Sequence, residues 1–211
     1  MAVNVYISSD HHFFHENIIH YCNRPFKNCE EMHKKIITEH NRFVRPDDVV
    51  YFLGDLGFSS YEEVKSVISQ LNGKKILIMG NHDKWGVSTY YNLGFDAVLQ
   101  EATIKLGKRL VTLEHYPRRS FSEFIRLMIV YWQNKTGRGK SFKHKWQRLL
   151  REWKKHKYPT KGWHINGHVH EAWKVKGRNI NVSVDQWNFA PVSVRRLISI
   201  MDKEDNRDNK K

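Results

Sequence analysis

The sequence predicts an α/β layered fold, and two features of its 211 residues carry that prediction. Short apolar runs that end in Gly, Asp or Asn recur along the chain, and stretches with helical spacing of apolar residues separate them. The length favours one domain with a core of its own. Because 40% of the residues are hydrophobic and 13% are aromatic, a disordered chain is excluded.

Each predicted strand is a short apolar run followed by turn-forming or polar residues. The predicted strands are Val3–Ile7, Val49–Leu53, Lys75–Met79, Ala97–Leu106, Arg109–Leu113, Trp163–Asn166 and Asn179–Val184. A turn at Gly107-Lys108 joins the fourth and fifth of them. In open α/β sheets ligands bind beyond the carboxyl ends of the strands. We therefore expect the polar residues at these strand ends to converge.

Apolar residues spaced three and four apart predict helices between the strands. The predicted helices are Glu30–Phe43, Tyr61–Leu71 and Pro191–Met201. The second of these stops at Asn72-Gly73, and the third has proline in its first turn. We expect one domain over residues 1–201 and a polar C-terminal tail over residues 202–211.

Five blocks of metal-ligating residue types follow strand-like runs. They are Asp10-His11-His12, Gly54-Asp55, Gly80-Asn81-His82-Asp83, Glu114-His115 and Gly167-His168-Val169-His170. A mixture of carboxylate, imidazole and amide oxygen suits divalent manganese, iron, zinc or nickel, and the lack of thiolates argues against a structural zinc site. Alternate residues of an extended segment point the same way, so Asp10 with His12, and His168 with His170, can serve one pocket.

In this order the blocks resemble the motifs DxH, GD, GNHD, H and GHxH of the calcineurin-like metallophosphoesterase superfamily, over roughly residues 5–170. The stretch DxHFxHxNII, followed by RPF, is similar to a bacterial and phage branch of that superfamily. The serine/threonine protein phosphatase branch fits poorly, because no Arg immediately follows Asp83. The resemblance implies a four-layer α/β/β/α sandwich.

The resemblance also implies a dinuclear metal centre. The residues that match the ligands of one ion are Asp10, His12, Asp55 and His170, and those that match the ligands of the second are Asp55, Asn81, His115 and His168, with Asp55 bridging. Manganese is the first candidate metal, with iron, zinc or nickel as alternatives. His82 resembles the histidine that contacts the substrate phosphate without binding metal, and Asp83 its orienting partner. Asp83 could instead cap the next helix.

These residues predict hydrolysis of a phosphodiester or phosphomonoester by a metal-bridging hydroxide, with a nucleotide or nucleic acid as substrate. Two divalent ions bring more charge than Asp10 and Asp55 return, so the site would attract phosphate. His82 could stabilise the phosphoryl oxygens or protonate the leaving group. The candidate substrate-binding residues are His15, Asn17 and Arg24, for each of which helix capping or solvent exposure is the alternative. The alternative function is a nucleic-acid-binding or scaffold module that keeps the fold without significant catalysis.

The positive charge of the chain is concentrated in one segment. Lys and Arg number 36 against 22 Asp and Glu, a formal charge of +14, and residues 117–162 hold 14 basic and two acidic residues. Two amphipathic patterns there, separated by Thr136-Gly137-Arg138-Gly139, predict an inserted basic helical hairpin. Since the segment leaves and re-enters the sheet at two ligand blocks, we expect it to draw a polyanion toward the metals, with plain solubility or another anionic partner as the alternative.

Cysteine content and the N-terminal sequence bear on the compartment. Cys22 and Cys29 have no metal-like spacing and no further cysteines to pair with, which is typical of a reduced protein. The first residues lack a signal-peptide pattern, and no apolar run is long enough to span a membrane. We therefore expect a cytoplasmic protein; the oligomeric state is not readable from this sequence.

Neutralising Lys143, Lys145, Lys154 and Lys155 together should flatten the salt dependence of substrate binding. Each lysine that no longer pairs with a phosphate reduces the number of counterions that binding releases. Affinity measured against salt concentration checks this, and an unchanged slope would refute a polyanion-binding role for the segment.

Overall fold

The computed structural model describes residues 2–118 and 162–208. The predicted basic hairpin at 117–162 therefore lies almost entirely outside the described residues. Within the described ranges, no helix combines the length and apolarity that crossing a bilayer requires.

The described chain forms ten strands and five α-helices. The strands are β1 (Val5–Ser8), β2 (Val49–Phe52), β3 (Lys74–Ile78), β4 (Ala97–Leu99), β5 (Ala102–Leu106), β6 (Arg109–Leu113), β7 (Trp163–Asn166), β8 (Val175–Lys176), β9 (Asn179–Asn181) and β10 (Val192–Ser193). The helices are α1 (Glu16–Tyr21), α2 (Cys29–Phe43), α3 (Tyr61–Ile68), α4 (Val87–Asn92) and α5 (Val194–Asp208), with a 3-10 helix at Val184–Gln186. The predicted α/β class is confirmed.

The strands form two five-stranded sheets. The first has the order β10-β1-β2-β3-β4, in which β1 to β4 are parallel and β10 is antiparallel to β1. The second has the order β5-β6-β7-β9-β8, in which β6, β7 and β9 are parallel neighbours. The first sheet therefore has four adjacent parallel strands and the second has three, and the carboxyl ends of these strands mark the edge where ligands are expected.

Alternation along the strands of the first sheet divides the core in two. Phe52 and Leu77 belong to a cluster that includes residues of α1 to α4. Their neighbours Leu53 and Ile78 belong to a second cluster, which holds residues of both sheets and of α5. Successive strand residues point to opposite faces, so the helices cover one face of the first sheet and the second sheet shares the core on the other.

Side-chain caps in the local sequence account for the starts of α2 and α3, the helices that precede β2 and β3. The side chain of Asn28 accepts a hydrogen bond from the backbone N–H of Glu31 at the start of α2. Ser60 does the same for Glu63 at the start of α3. These caps satisfy backbone donors that have no partner within the helix.

Two predicted boundaries are wrong. Ala97–Leu106 is not one strand, because the chain leaves the first sheet after Leu99 and enters the second at Ala102. Pro191–Met201 is not one helix, because Val192 and Ser193 pair with β1 before α5 begins at Val194. Tertiary strand pairing overrides the local pattern at both places.

Helix α5 runs to Asp208, seven residues into the predicted polar tail. Its acidic residues pair with the second sheet: Arg109 donates to Asp205 from Nε and Nη2, at 2.9 and 2.7 Å. Arg178 and the indole N–H of Trp163 donate to the other carboxylate oxygen, at 2.9 and 3.2 Å. These partners explain why a polar segment continues the helix.

Asp205→Asn should lower the free energy of unfolding by about 1–2 kcal/mol at neutral pH. Partial burial opposes ionisation of this carboxyl, but its hydrogen bonds from Arg109 and Trp163 and the nearby guanidinium charges lower its pKa. A lowered folded-state pKa contributes stability above the unfolded pKa that is lost as pH falls, so the gap between wild type and variant should close below about pH 4.

Urea denaturation of both proteins across pH 2–7, in roughly one-unit steps, measures this gap. Asp208→Asn is the matched control: its carboxylate is 64% exposed and meets Arg178 at 3.7 Å, so its loss should change stability by less than about 0.5 kcal/mol. A gap that stays constant into acid would contradict the role of Asp205.

Candidate metal centre

Six strands place polar residues at one edge of the two sheets. The residues that follow β1, β2 and β3 of the first sheet and β6, β7 and β9 of the second are, in that order, Asp10, Asp55, Asn81, His115, His168 and Asp185. The two sheets are tied together at this edge, where Ser9 and Ser183 form a bridge and the N–H of Val184 donates to the carbonyl of Ser9. The predicted convergence of the five blocks is therefore present in the fold.

The carboxylate of Asp55 is the point on which the imidazoles converge. Its Oδ2 atom lies 3.6 Å from Nε2 of His12, 3.6 Å from Nε2 of His115 and 4.0 Å from Nε2 of His82. Its other oxygen accepts a hydrogen bond from the backbone N–H of His82. Asp55 is almost completely buried. It therefore joins the block after β2 to the blocks after β1, β3 and β6.

Hydrogen bonds fix which nitrogen of two histidines faces the site. Nδ1 of His115 lies 2.7 Å from the carbonyl oxygen of Leu53, and Nδ1 of His170 lies 2.9 Å from Oδ2 of Asp185. Both partners are acceptors, so these Nδ1 atoms carry protons, and Nε2 is the nitrogen that would meet a metal ion in place of a second proton. The Nε2 atom of His115 faces Asn81 Oδ1 at 3.0 Å, and that of His170 faces Asp10 Oδ1 at 3.9 Å. This is the arrangement in which protein histidines bind metal ions.

His12 provides an independent test of fit. Its Nε2 atom is buried and has no hydrogen-bond partner, although it faces Asp55. Burial, together with the nearby His170 and Arg24, lowers the pKa of His12, so its ring is neutral at pH 7. A buried polar atom without a partner costs stability, and a divalent cation between His12 and Asp55 would satisfy it. The residues present therefore fit a bound metal.

Ligand atoms fall into three compact groups within the described residues. In each, the atoms lie within 4.8 Å of one another; the groups are Asp10, His12 and His170; Asp10, Asp55 and His115; and Cys22, His170 and Asp185. The first two share Asp10 and have the carboxylate and imidazole composition that suits divalent transition metals. These groups could hold metal ions.

Asp10 is the second buried carboxylate. Oδ2 accepts from the hydroxyl of Ser9 at 2.6 Å, and both oxygens accept from the backbone N–H of His168, at 3.1 and 3.0 Å. Burial raises the pKa of Asp10, and the neighbouring His115 and His170 oppose that shift. A cation bound there would favour the ionised form further.

Backbone strain is concentrated at the same residues. The predicted ligands with positive φ are Asp10 (56°), His12 (52°), Asp55 (56°), His168 (69°) and His170 (42°). The left-handed region is uncommon for residues other than glycine, and such strain clusters at functional sites. The backbone thus bends at the strand ends, and the side chains there point into one pocket, whereas on extended strands they would point to opposite faces.

The glycines of two motifs permit the close approach of these loops. A Cβ atom on Gly80 would overlap the carboxylate and the backbone N–H of Asp55, and one on Gly167 would overlap the side chains of Ser9 and Asp10. Only glycine leaves room for the carboxylates at these positions.

Asp185 was missed by the sequence analysis. Its carboxylate accepts from Nδ1 of His170, from the hydroxyl of Ser183 at 2.8 Å and from Arg24 through both oxygens, at 2.8 and 3.0 Å. Burial opposes its ionisation, but the bonds and charges of His170 and Arg24 lower its pKa to about 2. The available signal was its position after the predicted strand Asn179–Val184, at the same edge as the five blocks.

Arg24 does not have the predicted substrate-binding role. Its five N–H groups donate to both oxygens of Asp185, to the carbonyls of Asp10 and His11, and to the sulfur of Met32. The guanidinium is buried, so it holds the backbone of the first block in place and has no donor left for a phosphate.

Asp83 also differs from its prediction. Its buried carboxylate accepts from the backbone N–H groups of Asp55, Leu56 and Gly80, at 2.8, 3.1 and 2.7 Å. It therefore ties the loop after β2 to the loop after β3 and does not orient the ring of His82. It is not a helix cap either, since α4 begins at Val87 after Gly86.

The remaining predicted residues differ in how close they lie to the site. His82 is partly exposed, and its ring lies 5.9 Å from that of His12. The rings of His168 and His115 are 5.1 Å apart. Nδ1 of His15 lies 3.2 Å from Nδ1 of His12, so His15 contacts the site, whereas Asn17 is exposed in the first turn of α1. His11 is buried beside Ser8 and the core.

Comparison with known proteins finds similar proteins over most of the chain. No model of a known protein family matches it. A solved protein of unknown function, AQ665 from Aquifex aeolicus, is similar with a TM-score of 0.62 and 26% identity, covering 94% of this chain and 100% of that one. A novel archaeal phosphodiesterase is similar with a TM-score of 0.40 and 16% identity, covering 86% of this chain and 82% of that one.

The uncharacterized protein MJ1445 of Methanocaldococcus jannaschii is 32% identical over 208 residues, which cover 94% of this chain and 92% of that protein. At that identity and coverage, the chain belongs to the same protein family as MJ1445.

Proposed function

We propose that this protein is a metal-dependent phosphoesterase of the calcineurin-like metallophosphoesterase superfamily. The observation that carries the proposal is the convergence of imidazole Nε2 atoms on two buried carboxylates, those of Asp10 and Asp55. The ordered motifs in the sequence support the same assignment. The proposed fold is the four-layer α/β/β/α sandwich of that superfamily.

The proposed centre holds two divalent ions. Asp10, His12, Asp55 and His170 would hold one ion, and Asp55, Asn81, His115 and His168 would hold the other. Bound there, the ions supply Lewis-acid activation of a water nucleophile and of the phosphoryl oxygens. Manganese is the first candidate, and the mixed oxygen and nitrogen donors also suit iron, zinc or nickel.

The chain's own residues divide the remaining work. His82 lies at the mouth of the site within 4.0 Å of Asp55, where its ring can donate to a phosphoryl or leaving-group oxygen. Asp83 keeps the backbone of Asp55 and the loop before His82 together. Asp185 orients the ring of His170, and Arg24 holds the backbone of the first block. A partly exposed donor on a rigid support suits repeated proton transfer at a phosphoester.

We further propose that the substrate is a nucleotide or nucleic acid, and that the protein acts in the cytoplasm. The support for an anionic substrate is the net charge of +12 that the sequence places at residues 117–162, between the ligand blocks that end at His115 and begin at Gly167. Such a charge concentration attracts phosphate polyanions.

The wild-type protein should hydrolyse an aryl phosphodiester such as bis(p-nitrophenyl) phosphate when manganese is added. His82→Ala should lower kcat about 10²- to 10⁴-fold, because a placed proton donor is lost. Asp55→Asn should abolish the metal-dependent rate, because it removes the carboxylate on which the imidazoles converge.

His20→Ala is the matched control, since His20 is an exposed histidine at the end of α1 and its loss should leave the rate unchanged. Release of p-nitrophenol, measured with a series of divalent ions, is the readout. No hydrolysis with any of them would reject the enzyme, and tight substrate binding without turnover would favour a binding module.

Asp185→Asn should weaken manganese binding about 10- to 100-fold, because the carboxylate that orients His170 loses its charge. Isothermal titration calorimetry with the metal alone measures this. The exposed Asp47→Asn serves as the control. Asp185→Glu, which keeps the charge, should recover part of the affinity. Equal affinity in wild type and Asp185→Asn would contradict the positioning role.

A further inference from the structure

A small cavity lies on the outer side of His82, between the loops that follow β2 and β3. Its volume is about 170 Å³, and the residues that line it include Phe58, His82, Asp83, Lys84, Trp85 and Tyr90. The first loop carries Asp55 and the second carries Asn81, so the cavity adjoins the metal centre without containing its ligands. Of the residues that line the cavity, only His82 and Asp83 have a role in the proposed chemistry, and that of Asp83 is to hold the two loops together.

Aromatic rings form the wall nearest the site. The ring of Phe58 lies 5.1 Å from that of His12 in a stacked arrangement, 4.3 Å from that of His15 and 4.7 Å from that of His82. Phe58 is held in place by these three imidazoles and remains half-buried. A rigid, partly open aromatic face beside a catalytic histidine is a surface on which a planar ring can stack.

A second aromatic residue, Trp85, also lines the cavity and packs against other aromatic rings. The ring of Trp85 lies 5.8 Å from that of Tyr90, which is buried in the first core cluster, and 6.5 Å from that of Tyr61. Lys84 is exposed at the rim and supplies a positive charge. The cavity is thus lined by two aromatic side chains and a cation, which suit the planar base and the phosphate of a nucleotide.

Size limits the occupant to one ring group. Drug-sized ligands occupy pockets of about 300 Å³ or more, so a cavity of about 170 Å³ is too small for a whole nucleotide but suits a base alone. If phosphate lies at the metals, His82 stands between the phosphate and the cavity. A base in the cavity would be joined to that phosphate through its sugar, which places the sugar oxygen that leaves phosphorus on the side of His82.

We propose that the cavity between Phe58 and Trp85 binds the nucleobase of a phosphoester substrate and so determines its specificity. This inference rests on the proposed phosphoesterase function, because the metal centre is the site that takes the phosphate. Phe58 and Trp85 are specificity residues and make no contact with the reacting atoms.

Binding of three probes to the manganese-loaded protein tests the proposal by calorimetry. The probes are adenosine 5′-monophosphate, ribose 5-phosphate and inorganic phosphate. Stacking of a base on an aromatic side chain predicts that wild type binds the base-bearing compound about 5- to 100-fold more tightly than ribose 5-phosphate. Phe58→Leu and Trp85→Leu should each reduce that ratio at least about threefold.

Tyr91→Leu is the matched control, because Tyr91 is an exposed aromatic residue on α4 outside the cavity walls. Thermal unfolding of every variant identifies any that fails to fold, and Phe58→Tyr, which retains an aromatic face, should restore the ratio. A wild-type ratio near one, or a ratio that Phe58→Leu and Trp85→Leu leave unchanged, would overturn the proposal.

A fourth probe separates this proposal from the proposed function. Free adenosine should bind the metal-free protein weakly, and Phe58→Leu and Trp85→Leu should abolish that binding. If adenosine binds in this way while no divalent ion supports hydrolysis, the cavity assignment stands and the phosphoesterase fails. If hydrolysis occurs but the base adds no affinity, the cavity assignment fails and the phosphoesterase stands.

Discussion

Two carboxylates buried at one edge of two sheets impose the constraint on which the rest of this site depends. Asp10 and Asp55 are almost fully buried, and the imidazoles of His12, His115 and His170 aim their Nε2 atoms at them. Buried anions are costly unless they are paired with cations or bind metals. The arrangement of donors and acceptors around them is the arrangement that a divalent cation needs.

The surrounding structure holds these groups in strained positions. Asp83 gathers three backbone N–H groups from the loops after β2 and β3, and Arg24 gathers two backbone carbonyls and Asp185 on the other side. Both residues stabilise left-handed backbone that would otherwise relax. Asp83 and Arg24 therefore order the loops that carry the candidate ligands. Residues that position ligands in this way can be as important for function as the ligands themselves.

The proposed substrate contacts divide between two surfaces of different chemistry. The aromatic cavity beside His82 discriminates by shape and stacking over a short range. The charge that the sequence places at 117–162 acts over roughly a Debye length and discriminates by sign alone. An enzyme that combines them would collect polyanions broadly and select among them locally.

The sequence determined the α/β class, most of the strands and the candidate ligands, because apolar periodicity and the chemistry of residue types are local properties that a single chain displays. Only the tertiary structure decided how those residues are used. Arg24 and Asp83 are residue types that often act in catalysis, yet the hydrogen-bonding groups of both are already bonded to backbone and side chains far away in sequence. Asp185 carries no motif, and it became part of the site because β9 lies beside β7. Residues 97–106 likewise form two strands and not one, because the two halves pair with strands of different sheets, which outweighs the continuous apolar run.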